Sequence, residues 1–163
     1  MTLIALSLSS VEHGAEATMT PGELNTFILV QIPLSSGSRV TRGYQNVESS
    51  TRVASVPSPT ENLDMTWQAQ SPHLLIHLSR ISVERRLEEL MGRSLSAPIR
   101  FDLAMQMDDP GIRSRRRIVD VLVQNFDSDV PELHECVQAE IESACLTGLL
   151  TAQPHNLSLL PIS

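Results

Sequence analysis

The hydrophobic pattern of this chain changes period near residue 80. Before that point the apolar positions come in short runs at strand spacing. Residues 24–32 are apolar on both faces (Leu24, Phe27, Ile28, Leu29, Val30, Ile32), which predicts a strand covered on both sides. Pro21-Gly22 marks a turn before it, and Pro33 with Ser35-Ser36-Gly37 marks another after it. Short segments at 38–42 and 45–48 are joined by Gly43-Tyr44, and 52–56 ends at Pro57-Ser58-Pro59. Residues 63–68 alternate strictly, with Leu63, Met65 and Trp67 on one face, and 74–78 close the set. The apolar start 1–8 has no basic residue before it and runs directly into Glu12 and His13, so it predicts a first strand, not a signal peptide. Several short strands at close spacing predict a sandwich or barrel.

After residue 80 the period becomes helical. Val83, Leu87, Leu90 and Met91 form an i, i+4, i+7, i+8 stripe, with Ser82 as the expected N-cap and Gly92 as the terminator. A linking segment carries Pro98 and Phe101. A second helix is expected from Asp109-Pro110, since proline suits the first helical position, with Ile118, Val119, Leu122, Val123 and Phe126 as its apolar face. A third is expected from Asp129, with Glu132 as capping-box partner and Leu133, Val137, Ile141, Ala144, Cys145 and Leu149 as its stripe. No internal repeat and no low-complexity linker separates the halves. Strands followed by helices predict one α+β unit, a β portion over 1–80 packed against a helical portion over 81–163.

Composition narrows the function classes. A chain of 163 residues suits one domain, and 41% hydrophobic with 19% charged residues is a globular balance, not a disordered one. No run approaches the length of a membrane helix. The formal charge of −7 argues against this chain gripping nucleic acid by itself, because phosphate binding needs a positive face. Two isolated cysteines, Cys136 and Cys145, suit a reducing compartment and a cytoplasmic location. Nine residues apart in one helix they lie about 13 Å apart along its axis, too far for a disulfide.

Candidate chemistry is sparse. His73 and His77 have metal-ligand spacing only if helical; in a strand they share a face about 13 Å apart and cannot hold one ion. A metal-dependent barrel enzyme needs clustered histidines with a carboxylate, and His13, His134 and His155 are scattered. There is no G-x-S-x-G, no activated cysteine and no phosphate loop. Arg113, Arg115, Arg116 and Arg117 form the one basic cluster. It sits in the first turns of a helix, against the dipole, with Asp108 and Asp109 upstream, and reads as a solvated face or part of a protein interface in preference to an anion or DNA contact. Neither a metal nor a cofactor is expected.

Two features point to binding. Trp67, the one tryptophan, is expected on the inward face, either as core or as a pocket wall. Gln31 stands among apolar neighbours, and a buried amide needs partners. Leu29, Gln31, Met65 and Trp67 are the candidate pocket residues, from strand alternation. The third helix carries surplus apolar surface, and Val137, Ile141, Leu146 and Leu149 are the candidate dimer contacts.

The tail 149–158, Leu-Leu-Thr-Ala-Gln-Pro-His-Asn-Leu-Ser, resembles the end of the ligand-sensing domain of AraC-type transcriptional regulators. Val83-Glu84-Arg85-Arg86-Leu87-Glu88-Glu89-Leu90-Met91-Gly92 and Pro98-Ile99-Arg100-Phe101-Asp102 are similar to two further motifs of that family, and Leu29 to Leu34, Gly37 and Ser58-Pro59-Thr60 also fit. The resemblance implies a cupin-like antiparallel β-barrel followed by helices, a small-molecule effector and a homodimer. It also implies that DNA is met only through a C-terminal helix-turn-helix region, which this chain lacks. The alternatives are a stand-alone truncated regulator that poisons a full-length sibling by heterodimerisation, and a cupin-type enzyme such as an isomerase or oxygenase.

Overall fold

A computed structural model of the protein describes residues 6–11, 14–22, 24–35, 37–58, 62–113, 117 and 135–157. Nine strands are described: β1 (Leu6–Val11), β2 (Ala17–Gly22), β3 (Phe27–Pro33), β4 (Ser38–Arg42), β5 (Gln45–Glu48), β6 (Val53–Ser55), β7 (Leu63–Trp67), β8 (His73–Ser79) and β9 (Ala104–Gln106). They form a five-stranded sheet, β1-β8-β3-β6-β9, and a four-stranded sheet, β2-β7-β4-β5. Each strand pairing is antiparallel. Two helices, α1 (Arg80–Met91) and α2 (Glu135–Ala152), accompany them. The molecule is α+β and mainly β. Among the described residues no helix is long and apolar enough to cross a membrane.

The double-sided apolar run has a direct explanation. β3 and β8 are interior strands of the larger sheet, and a core covers each of its faces. Ile28, Val30 and Ile32 of β3, with Leu74, Ile76 and Leu78 of β8, point into a first core shared with Val83, Leu87 and Met91 of α1 and with Leu146 and Leu150 of α2. Leu29 and Leu75, on the opposite phase, point into a second core shared with Val40, Leu63, Met65, Trp67 and Leu103. The second core is the interior between the sheets. Each fully buried aliphatic side chain contributes about 1.5–3 kcal/mol, so the period-2 alternation that sorts residues between two cores also fixes the register.

Four boundaries differ from the sequence expectation. Residues 24–26 are not strand: Asn25 has φ 53° and the Thr26 N–H bonds to the Leu24 carbonyl at 2.6 Å, a turn that swings the chain into β3. Pro21 and Gly22 are not a free turn but the end of β2. They sit past a register shift on an edge strand, where a missing N–H is tolerated. The N-cap of α1 is Ser79, whose side chain accepts from the Ser82 N–H at 3.4 Å; Ser82 already lies inside the helix. Finally, β9 comes from beyond residue 80 and pairs with β6 at Ala54↔Met105, so the second half of the chain also contributes to the sheet.

One expected helix end and one expected helix start are found in the structure. Gly92 ends α1 in the left-handed region at φ 68°, its N–H bonded to the Glu88 carbonyl at 2.8 Å. Asp109 opens a helical turn at 110–113, its carboxylate accepting from the Gly111 N–H at 2.8 Å. The apolar face expected at 118–126 and the start expected at Asp129 lie outside the described residues.

Candidate functional site

Leu29, Gln31, Met65 and Trp67 are brought together in the inter-sheet interior. β3 supplies the first pair and β7 the second, from opposite sheets. All four are buried; Gln31 is 0% exposed and Trp67 2%. Gln31 Nε2 donates to the Met65 Sδ at 2.7 Å, and its Oε1 accepts from the Ser55 hydroxyl at 3.4 Å. The amide is therefore engaged within the chain, though thioether sulfur is a weak acceptor. The Trp67 indole stacks on the His73 imidazole, ring centroids 4.3 Å apart and planes 15° apart.

Three further polar residues reach the same interior, none of them among the four pocket candidates. His73 and His77 follow the phase of Leu75 on β8, as the strand reading of that pair required. His73 is fully buried, and its Nδ1 donates to the Ser71 carbonyl at 2.8 Å. His77 is half-buried with its ring 5.3 Å from Phe27, and burial pulls its pKa below the ordinary 6.5. Arg42 is 2% exposed and follows the phase of Val40 on β4. Its guanidinium donates to the Phe101 carbonyl at 2.8 Å and to Gln45 Oε1. Its signal was present: alternation along 38–42 puts Ser38, Val40 and Arg42 on one face.

The candidate dimer contacts separate. Leu146 is 7% exposed and belongs to the first core. It is therefore spent inside the protomer, because α2 lies over the larger sheet and beside α1, where Arg86 Nε donates to the Thr147 hydroxyl at 2.9 Å. Leu149 packs partly against the same core. The side chains of Val137 and Ile141 lie outside the described residues. Glu140, Ala144 and Thr151 are exposed on α2.

The remaining chemistry is quiet. Among the described residues no group of three His, Cys, Asp or Glu could hold a metal ion. The Cys145 thiol is pushed up to about 11 by burial and by Glu142, so it stays protonated and unreactive at neutral pH. Arg113 and Arg117 are exposed.

The tail singled out in the sequence has a structural role. Gln153 Nε2 donates to the Asp102 and Ala104 carbonyls at 2.8 and 2.9 Å. The Pro154 carbonyl accepts from the Asp102 N–H at 2.9 Å. His155 packs edge-on to Phe101, centroids 5.5 Å apart. Asn156 Nδ2 donates to the Pro98 carbonyl at 3.0 Å, and its Oδ1 accepts from the Arg100 N–H at 2.8 Å. The string fastens the end of α2 to the 98–104 segment.

Known structures share this architecture. The AraC-like transcriptional activator CuxR superposes with TM-score 0.63 at 8% identity, over 92% of this chain and 54% of its own. ToxT of Vibrio cholerae superposes with TM-score 0.55 at 5% identity in its apo K231A form, over 87% of this chain and 54% of its own. Another ToxT structure gives TM-score 0.53 at 10% identity, over 90% and 55%. At such identities the likeness is one of fold, and the chain spans about half the length of these regulators. No curated protein matches the sequence significantly. The family model described as "AraC-binding-like domain" matches residues 2–151, so the chain belongs to the AraC-binding-like domain family.

Proposed function

We propose that this chain is the effector-sensing and dimerising part of an AraC-type transcriptional regulator, and that its effector enters between the two sheets. The observation that supports this most is the polar set in the second core. Gln31, His73, Trp67 and Arg42 are buried beside the aliphatic side chains of that core, and a few polar groups in a mostly apolar interior are what fix a bound ligand's orientation.

The chemistry of the set favours an effector with an oxygen acceptor and an apolar body. Gln31 Nε2 is held by sulfur, and a ligand carboxylate or carbonyl is a better acceptor by about 1 kcal/mol. Arg42 supplies positive charge, and the Trp67–His73 stack and Leu29 supply an apolar wall. Such a ligand acts by preferring one arrangement of the interior over another, and shifts the equilibrium only by that difference in affinity. DNA contact belongs to a helix-turn-helix region that these residues do not include. A chain of net charge −7 is poorly suited to phosphates on its own.

The test is a titration with aliphatic and aromatic carboxylic acids, read by Trp67 fluorescence. One or more acids should give a saturable change in wild type, weakened at least tenfold in Gln31→Leu. Saturable binding that ignores both Trp67 and the Gln31 substitution would place the effector elsewhere. The dimer contacts proposed are Val137, Ile141 and Leu149 on α2, without Leu146. Ile141→Asp should sediment as a monomer, and an unchanged dimer mass would reject this face.

A further inference from the structure

We propose that Gln153-Pro154-His155-Asn156 is an output joint, fastening the end of α2 to the end wall of the inter-sheet interior so that a change inside is felt at the end of the helix. The inference rests on the sensing role proposed above and adds the route by which the interior is connected to what lies beyond it.

One segment is used on two sides. Along 98–104 the backbone carbonyls alternate between two sets of partners. Those of Pro98, Arg100, Asp102 and Ala104 accept from the joint: from Asn156 Nδ2, from the Asn156 N–H at 2.9 Å, and from Gln153 Nε2 twice. Those of Phe101 and Leu103 accept from the barrel: from the buried Arg42 guanidinium at 2.8 Å and from the Val56 N–H at 2.8 Å. The amides alternate too. The Arg100 and Asp102 N–H groups donate to Asn156 Oδ1 and the Pro154 carbonyl, while the Phe101 N–H donates to the Ser58 hydroxyl at 2.9 Å.

Side chains of the segment enter both cores. Leu103 is 2% exposed and packs in the second core with Leu29, Met65 and Trp67. Phe101 and Leu157 pack in the first core, with Leu150 at the end of α2. The segment is a partition one residue thick, hydrogen-bonded on both edges. Displacing Arg42 or Leu103 therefore moves peptide groups whose other neighbours are held by Gln153 and Asn156, because densely packed elements do not absorb such shifts locally.

Coupling is reciprocal and can be measured without any effector. Native-state amide hydrogen exchange of the whole chain reads the Arg100, Asp102 and Asn156 amides against those of β8. Arg42→Met should accelerate the three joint amides at least tenfold relative to β8. Val83→Ala, a loss in the first core against α1, should accelerate joint and β8 amides by the same factor. Joint amides that keep pace with β8 in Arg42→Met, or that outrun it equally in Val83→Ala, overturn the proposal. If Arg42→Met does not fold, Arg42→Lys takes its place with the same two outcomes, since lysine keeps the charge and loses the forked donor. A chain that binds no acid can still show this coupling, and one that binds an acid between the sheets can still lack it.

Discussion

Single residues divide here into those that build and those that are available to bind. His155 is a builder whose protonation state is set by geometry. Its Nδ1 accepts from the Leu157 N–H at 3.2 Å, so its Nε2 carries the proton donated to the Leu150 carbonyl at 3.2 Å. Burial holds its pKa below the ordinary 6.5, against smaller opposing pulls from Leu150 and Asp102, and burial does the same for His77. Both are therefore favoured neutral in the folded state. The unfolded chain takes up protons first as pH falls, so their contribution is complete above about pH 6.5 and is lost as pH drops through that value toward the lower native ones. The urea midpoint should be lower at about pH 5.5 than at about pH 7.5; an equal or higher midpoint in acid contradicts the neutral assignment. Residue roles were only partly legible. Alternation found the phase of Leu29, Gln31, Met65 and Trp67, since neighbours two apart share a face. It was not followed through 38–42 to Arg42, because an arginine there looks like an exposed edge residue until its neighbours are known.

At the scale of elements, the long periodic segments were legible and the short ones were not. The stripe Val83, Leu87, Met91 and its glycine terminator follow from helix geometry alone, and these three residues are the buried ones of α1. The start was misplaced by three residues because Ser79 and Ser82 are both good caps, and only the turn out of β8 decides between them. That yields a sharp comparison. Ser79→Ala should cost about 1 kcal/mol of stability, as lost N-caps do, while Ser82→Ala should cost well under half of that. The reverse order in thermal denaturation would return the cap to Ser82. β9 was missed because a three-residue strand carries too little periodicity to stand out. The tail 153–156 was noticed as a motif without a reason. The reason is that its side chains replace a strand partner for the 98–104 segment, a role that no local propensity encodes.

At the scale of the molecule, one larger sheet separates two cores with different content. The first joins that sheet to α1 and α2 through aliphatic, methionine and phenylalanine side chains. The second, between the sheets, holds the amide, imidazole and guanidinium groups as well. The α+β class and the order of strands before helices were legible from the change of period near residue 80. The pairing order was not, because β9 crosses back to β6 from the helical half and long-range pairing leaves no mark on neighbouring residues. On the function proposed above, the signal is received in the second core, and the first core feels it only through the 98–104 segment. Four of the chain's six methionines report the two places separately: Met65 faces the second core, and Met91, Met105 and Met107 face the first. The most direct measurement is therefore methyl NMR of carbon-13-labelled methionine during titration with an acid that changes Trp67 fluorescence. The Met65 methyl should shift progressively and saturably, while the methyls of Met91, Met105 and Met107 move far less. Saturable shifts in those three with Met65 unmoved would contradict an effector site between the sheets.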